Sequence, residues 1–163
     1  MPDPQNALVA GCRVREVRPS DAAEWLRMRQ LLLAAEEHAR EIADYFASRW
    51  IQPAAVFVAE RSGGGLAGFI EVGTRLYAEG CESSPVGYIE AWYVDADVRR
   101  AGLGAALVRA AEAWARDRGC SEMGSDVELG NAISQQAHRA LGYDEVERIV
   151  CFRRSLSSTG GGG

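Results

Sequence analysis

The chain has 163 residues, 47% of them hydrophobic and 25% charged, with a formal net charge of −5 and a pI near 5.1. That size suits one domain with a sizeable core. The acidic balance argues against a general nucleic-acid binder and mildly favours a cationic partner. Cys12, Cys81, Cys120 and Cys151 are scattered, with no Cys-x-x-Cys pair and only 2 histidines in the chain, so no metal site is expected. No basic-apolar leader opens the chain and no apolar run reaches membrane-spanning length, so the expectation is a cytoplasmic protein with reduced thiols and no membrane partner.

In chain order, Cys12 to Val17 reads as a first strand. Pro19-Ser20-Asp21 opens a helix, with Ser20 as its cap and Trp25, Met28 and Leu32 at helical spacing. A second helix is expected from His38 to Trp50, its apolar face formed by Ile42, Tyr45, Phe46 and Trp50. Ala54 to Glu60 and Leu66 to Thr74 read as two strands of a hairpin around the glycine-rich turn 61–65. Val86 to Val94 is the next strand. Leu103 to Arg118 is a helix with Leu103, Leu107, Ala110, Ala111 and Trp114 facing inward, closed by Gly119. A strand from Cys120 to Val127, a helix from Asn131 to Leu141 with Ile133, Ala137, Ala140 and Leu141 inward, and a last strand from Glu145 to Leu156 complete the order. The strands on either side of the Leu103 helix should be parallel and the hairpin strands antiparallel. The fold class is therefore α/β: a mixed sheet with helices on both faces, spanning residues 1–156. The run 157–163 reads as a flexible tail.

The most informative stretch is 88–104. An apolar strand ends in Arg99-Arg100-Ala101-Gly102-Leu103-Gly104, which opens a helix. Helix N-termini carry unpaired N–H groups and partial positive charge, and glycine allows close backbone approach, so this construction suits a phosphate or pyrophosphate. Its spacing matches neither the nucleoside-triphosphate loop nor Gly-x-Gly-x-x-Gly. Glu90 lies inside the strand, where alternation would group it with Tyr88 and Trp92. A carboxylate among apolar neighbours must be paired or used: it is either ion-paired with an arginine across the sheet or available as a base. Asp126 ends the following strand, at the end of a parallel pair where ligands collect; alone it also reads as a loop or capping aspartate. Asn131 alone reads as a helix N-cap.

The pattern Arg99-x-x-Gly102-x-Gly104 after a hydrophobic strand resembles the pyrophosphate loop of GNAT acyltransferases, and the element order resembles that fold over nearly the whole chain. Segments 81–94, 119–126, 131–143 and 145–150 resemble, more narrowly, the bacterial aminoglycoside 6′-N-acetyltransferases. The resemblance implies transfer of acetyl from acetyl-CoA to a 6′-amine of an aminoglycoside antibiotic, directly within a ternary complex. It implies acetyl-CoA contacts at Trp92, Tyr93, Val94, Arg99, Arg100, Ala101, Gly102, Leu103, Gly104 and Asn131, the backbone of 92–94 pairing with pantetheine. It implies drug contacts at Tyr77, Glu90, Asp126 and Glu147, with Glu90 and Asp126 forming an acidic catalytic site in which either could be the base or only bind the drug. Many GNAT enzymes carry a tyrosine where this chain has His138; an imidazole there could protonate the leaving thiolate or merely pack. Relatives tend to have a tryptophan where this chain has Leu33, which leaves the acceptor range open. A homodimer, using the last strand, is also implied. The competing readings are an acetyltransferase for another amine (a polyamine, a metabolite or a protein N-terminus) and a non-catalytic acyl-CoA-binding module.

Overall fold

The structure, a computed structural model, describes residues 8–33, 36–49 and 52–156. Its elements are β1 (Cys12–Glu16), α1 (Ala22–Leu32), α2 (His38–Phe46), β2 (Ala55–Arg61), β3 (Leu66–Arg75), β4 (Val86–Val94), α3 (Leu103–Arg116), β5 (Met123–Ser125) and α4 (Ala132–Ala140). They form one sheet in the order β1-β2-β3-β4-β5, antiparallel except for the parallel β4–β5 pair that α3 connects.

Both faces of the sheet are covered. On one, Leu103, Leu107, Ala111 and Trp114 of α3 pack against Ala59, Ile70, Val72 and Ile89. On the other, Trp25 and Met28 of α1 and Ile42 of α2 pack against Val56, Val58, Phe69 and Ala91. The helical spacing of each apolar set is what turns one stripe toward the sheet. Glu71 is buried in the second face, where its Oε1 accepts the Trp25 indole N–H at 2.9 Å and lies 2.9 Å from Arg29 Nε. The pair ties α1 to β3.

Several expectations need correction. Ser20 does not cap α1. A short 3₁₀ turn, Pro19–Asp21, precedes the helix, and buried Asp21 accepts the Arg18 backbone N–H at 2.7 Å and pairs with Arg15. The second helix stops at Phe46, and Ser48 beyond it has a left-handed φ of 55°; Trp50 and the tail at 157–163 lie outside the described residues. The strand expected over 120–127 is reduced to Met123–Ser125. Ile133 is 78% exposed and Ala140 is exposed too, so α4 turns Leu141 and His138, rather than Ile133, toward the protein. Among the described residues the last strand does not form: residues 144–156 are exposed and carry no ladder. A strand needs a partner, and β5, three residues long, does not provide one within this copy.

Candidate active site

β4 does not alternate regularly. Its pairing with β3 passes from Glu71↔Ala91 to Val72↔Ile89, leaving Glu90 as the extra residue of a β-bulge. Ile89 and Trp92 therefore face α3, while Ala91 and Tyr93 face α1 and α2. The expected grouping of Tyr88, Glu90 and Trp92 fails for this reason: Trp92 is on the opposite side.

Glu90 is ion-paired across the sheet. Arg75, the last residue of β3, donates from Nη2 to Glu90 Oε2 at 2.8 Å and from Nε to Oε1 at 3.2 Å. The Arg75 guanidinium carbon also lies 3.4 Å from the centre of the Tyr88 ring. The Tyr88 hydroxyl donates to Asp126 Oδ1 at 2.7 Å. Burial, with the Asp126 carboxylate next, pushes the Tyr88 phenol far above its usual range, so it remains a donor. Glu90, Asp126, Tyr88 and Arg75 thus form one connected acidic site. Sequence reasoning missed Arg75 and the role of Tyr88; Arg75, at a strand end, carried no motif signal.

Beside this site the sheet opens. β4 pairs with β5 only through Gly87↔Met123, Tyr88↔Gly124 and Ile89↔Ser125. From Glu90 to Val94 the side of β4 away from β3 carries no strand among the described residues. The Val94 carbonyl accepts from Arg99 Nε at 2.8 Å. After a short 3₁₀ turn (Ala96–Val98) come Arg100 and Gly102, with φ of 62° and 84°. Gly102 is the N-cap of the 14-residue helix α3 and gives it no side-chain cap, and no acidic residue sits in the first turn. Those free N–H groups and the adjacent arginines suit an anion. Trp92 Nε1 is buried with no hydrogen-bond partner among the described residues, and a Cβ at Gly104 would come 3.5 Å from it. An open strand edge leading to an anion-seeking helix start fits an extended donor ending in pyrophosphate.

His138 of α4 stands edge-on to Trp92, ring centres 5.4 Å apart, and to Tyr143 at 5.7 Å. Its Nδ1 lies 2.8 Å from the Ser134 carbonyl, which can only accept, so Nδ1 carries the proton. Nε2, 2.9 Å from Ser125 Oγ, then accepts the serine proton when the ring is neutral. Ser125 was not singled out from the sequence; its place at the last β4–β5 pair is a topological fact. Asn131 is the N-cap of α4, accepting the Ser134 N–H at 3.0 Å. Tyr77 is exposed in the loop after β3. Glu147 sits in the exposed segment 144–156; with Asp126, Ser125 and His138 it lines a cavity of about 550 Å³ between β5, α4 and that segment. Among the described residues no group of three or more His, Cys, Asp or Glu side chains could hold a metal ion.

A mixed sheet splayed after its fourth strand, a glycine-arginine loop at the next helix start and a carboxylate at the splay define an acyl-transfer fold. The family model for the Acetyltransferase (GNAT) family matches residues 25–143, and the chain belongs to that family. Within it, the chain resembles aminoglycoside 6′-N-acetyltransferases. The aminoglycoside N(6′)-acetyltransferase type 1 of Klebsiella aerogenes is 46% identical over 146 residues, 88% of this chain and 96% of that one. That of Stenotrophomonas maltophilia is 41% identical over 145 residues, 88% and 93%. Among solved structures, the AAC(6′)-Ih enzyme of Acinetobacter baumannii superposes with a TM-score of 0.82 at 30% identity, over 90% of this chain and all of that one. AAC(6′)-Iy in complex with the bisubstrate analogue CoA-S-monomethyl-acetylneamine superposes with a TM-score of 0.80 at 30% identity, over 89% and 99%.

Proposed function

We propose that this chain transfers the acetyl group of acetyl-CoA to the 6′-amine of aminoglycoside antibiotics, directly within a ternary complex, and so confers resistance. The observation that carries the reading is the placement of Glu90 at the point where β4 leaves β5, joined through Arg75 and Tyr88 to Asp126. Acetyl-CoA supplies the activated thioester when bound. Arg99 to Gly104 and the start of α3 receive its pyrophosphate, the backbone of Trp92 to Val94 receives its pantetheine, and Asn131 adds a contact. Glu90 takes the proton that the acceptor ammonium must lose before its nitrogen lone pair can form the new N–C bond. Asp126, with Tyr77 and Glu147, holds further ammonium groups. A backbone N–H of the open edge stabilises the oxyanion. In its imidazolium form His138 carries a second proton on Nε2, which it gives to the sulfur as the C–S bond breaks while Nδ1–H stays on the Ser134 carbonyl; Ser125 fixes its ring.

The chain is read as one acetyltransferase domain over 1–156, acting in the cytoplasm. Among the described residues no helix is long and apolar enough to cross a membrane. We further infer a homodimer through the last segment. Val146, Ile149, Val150 and Phe152 are all exposed there, beside an edge strand of three residues. Light scattering should give twice the chain mass, and a monomer at micromolar concentration would overturn the inference.

The functional test is acetyl-CoA-dependent thiol release with tobramycin and kanamycin A, beside an analogue with a 6′-hydroxyl. Turnover of the amines only, reduced about a hundredfold in Glu90→Gln, is expected. Normal acetyl-CoA binding with no turnover of either drug would sink the acceptor assignment.

A further inference from the structure

The place an incoming ammonium needs is already filled by a cation of the protein. The Arg75 guanidinium lies over the Tyr88 ring at 3.4 Å and forks onto both oxygens of Glu90. An aromatic face and a carboxylate are the two partners that best hold an alkyl ammonium. The Arg75 side chain is 40% exposed, whereas that of Glu90 is 20% exposed, so the guanidinium forms the solvent side of the pair. Its anchor is the end of β3, opposite Val86, at the sheet's margin. Swinging outward, the side chain gives up its contacts with Glu90 and the Tyr88 ring.

We propose that Arg75 is an internal stand-in for the acceptor's amine, displaced from Glu90 and Tyr88 when the acceptor enters. This rests on reading Glu90 as the acceptor carboxylate. With Arg75 in place, Glu90 and Asp126 together present one uncompensated negative charge; with Arg75 swung out they present two. An acceptor with a single cation restores only what Arg75 gave. An acceptor with several cations gains at Asp126 as well and offsets the displacement. Arg75 therefore selects polycationic amines over simple amines at the same catalytic carboxylate.

Steady-state kinetics and calorimetric binding with tobramycin and with 6-amino-6-deoxyglucose, which has one ammonium, test this on Arg75→Met, Arg75→Gln and Arg75→Lys. Removing the competing cation should lower KM for tobramycin about fivefold, the scale of one partly exposed bidentate pair. KM should fall by more than kcat, so kcat/KM rises in both Arg75→Met and Arg75→Gln, and the monoamine becomes a better substrate. Arg75→Lys keeps a cation on a similar stem and should stay near the parent. A lower kcat/KM in the two neutral variants, with KM unchanged or raised, would overturn the proposal and make Arg75 a residue that positions Glu90. A parent chain that turns over neither amine would remove the acceptor reading itself, a distinct result.

Discussion

Gly104→Ala probes the donor side of the site. A methyl at residue 104 would stand 2.8 Å from Trp92 Cζ2, closer than carbon atoms pack, and 3.4 Å from Cε2, at the near edge of ordinary contact. The indole has little room to yield: it packs against the α3 core, and His138 stands edge-on to it at 5.4 Å. Overpacking of this kind costs about 1–3 kcal/mol. Replacing glycine by alanine inside a helix returns about 0.5–1 kcal/mol. The net should be a loss of about 1 kcal/mol, or about 2–4 °C in Tm for a chain of this size. The methyl also stands beside the free N–H groups of the first turn of α3. Losing one charge-assisted hydrogen bond there, about 1.5 kcal/mol, weakens acetyl-CoA binding about tenfold. Calorimetric titration with acetyl-CoA and a thermal melt read the two effects separately. A variant that melts several degrees higher and binds acetyl-CoA as the parent does would refute both the Trp92 collision and the anion role of this turn.

His138→Ala should slow turnover at saturating substrates by about tenfold or more, with Ser125→Ala milder; equal effects on KM and none on kcat would leave His138 a packing residue. Arg15 holds Glu60 down to about 2 from 4.5, with help from Arg13, and also lowers Asp21. These depressed carboxylates contribute stability that is present above about pH 4.5 and lost as pH falls toward about 2, a contribution of about 1 kcal/mol once solvent screening is allowed for. Arg15→Met should therefore lower Tm at pH 7 and flatten its decline over that acid range, and parallel Tm-against-pH curves would contradict this. Glu71→Leu leaves the Trp25 N–H without its acceptor and buried Arg29 with Glu41 alone, so urea denaturation should show a loss of about 3 kcal/mol.

Where the periodicity was long and one-sided, the sequence led directly to structure. Val86 to Val94 is a strand with those bounds, and α3 starts at Leu103 with Leu103, Leu107, Ala111 and Trp114 of the expected face buried; Ala110 is half-buried, and Val108 and Ala115 are buried beside them. The anion-suited loop was legible because glycine and arginine act locally. What the sequence concealed depends on partners elsewhere. Arg75 matters through Glu90, fifteen positions away, and Ser125 through His138, thirteen away. The segment 145–156 has the composition of a strand, but a ladder also needs an edge to join. Ile133 misled for a related reason: helical spacing names a stripe, and the stripe that faces inward is decided by what lies beside the helix.

The bulge at Glu90 explains both the failed alternation and the chemistry. A regular strand would have put Glu90 and Trp92 on one face. With the extra residue, Glu90 meets Arg75 on one side, while Trp92 crosses to Gly104 and His138 on the other. The pairing with β5 ends at Ile89↔Ser125, one residue before the bulge. Bulges bend the strand and increase its twist, so the second half of β4 turns away from β5 where the acid is placed. One inserted residue thus separates the proposed acceptor side from the donor side and frees a backbone edge between them. The carboxylate that departs from the apolar pattern sits at the position where the strand must depart from its partner.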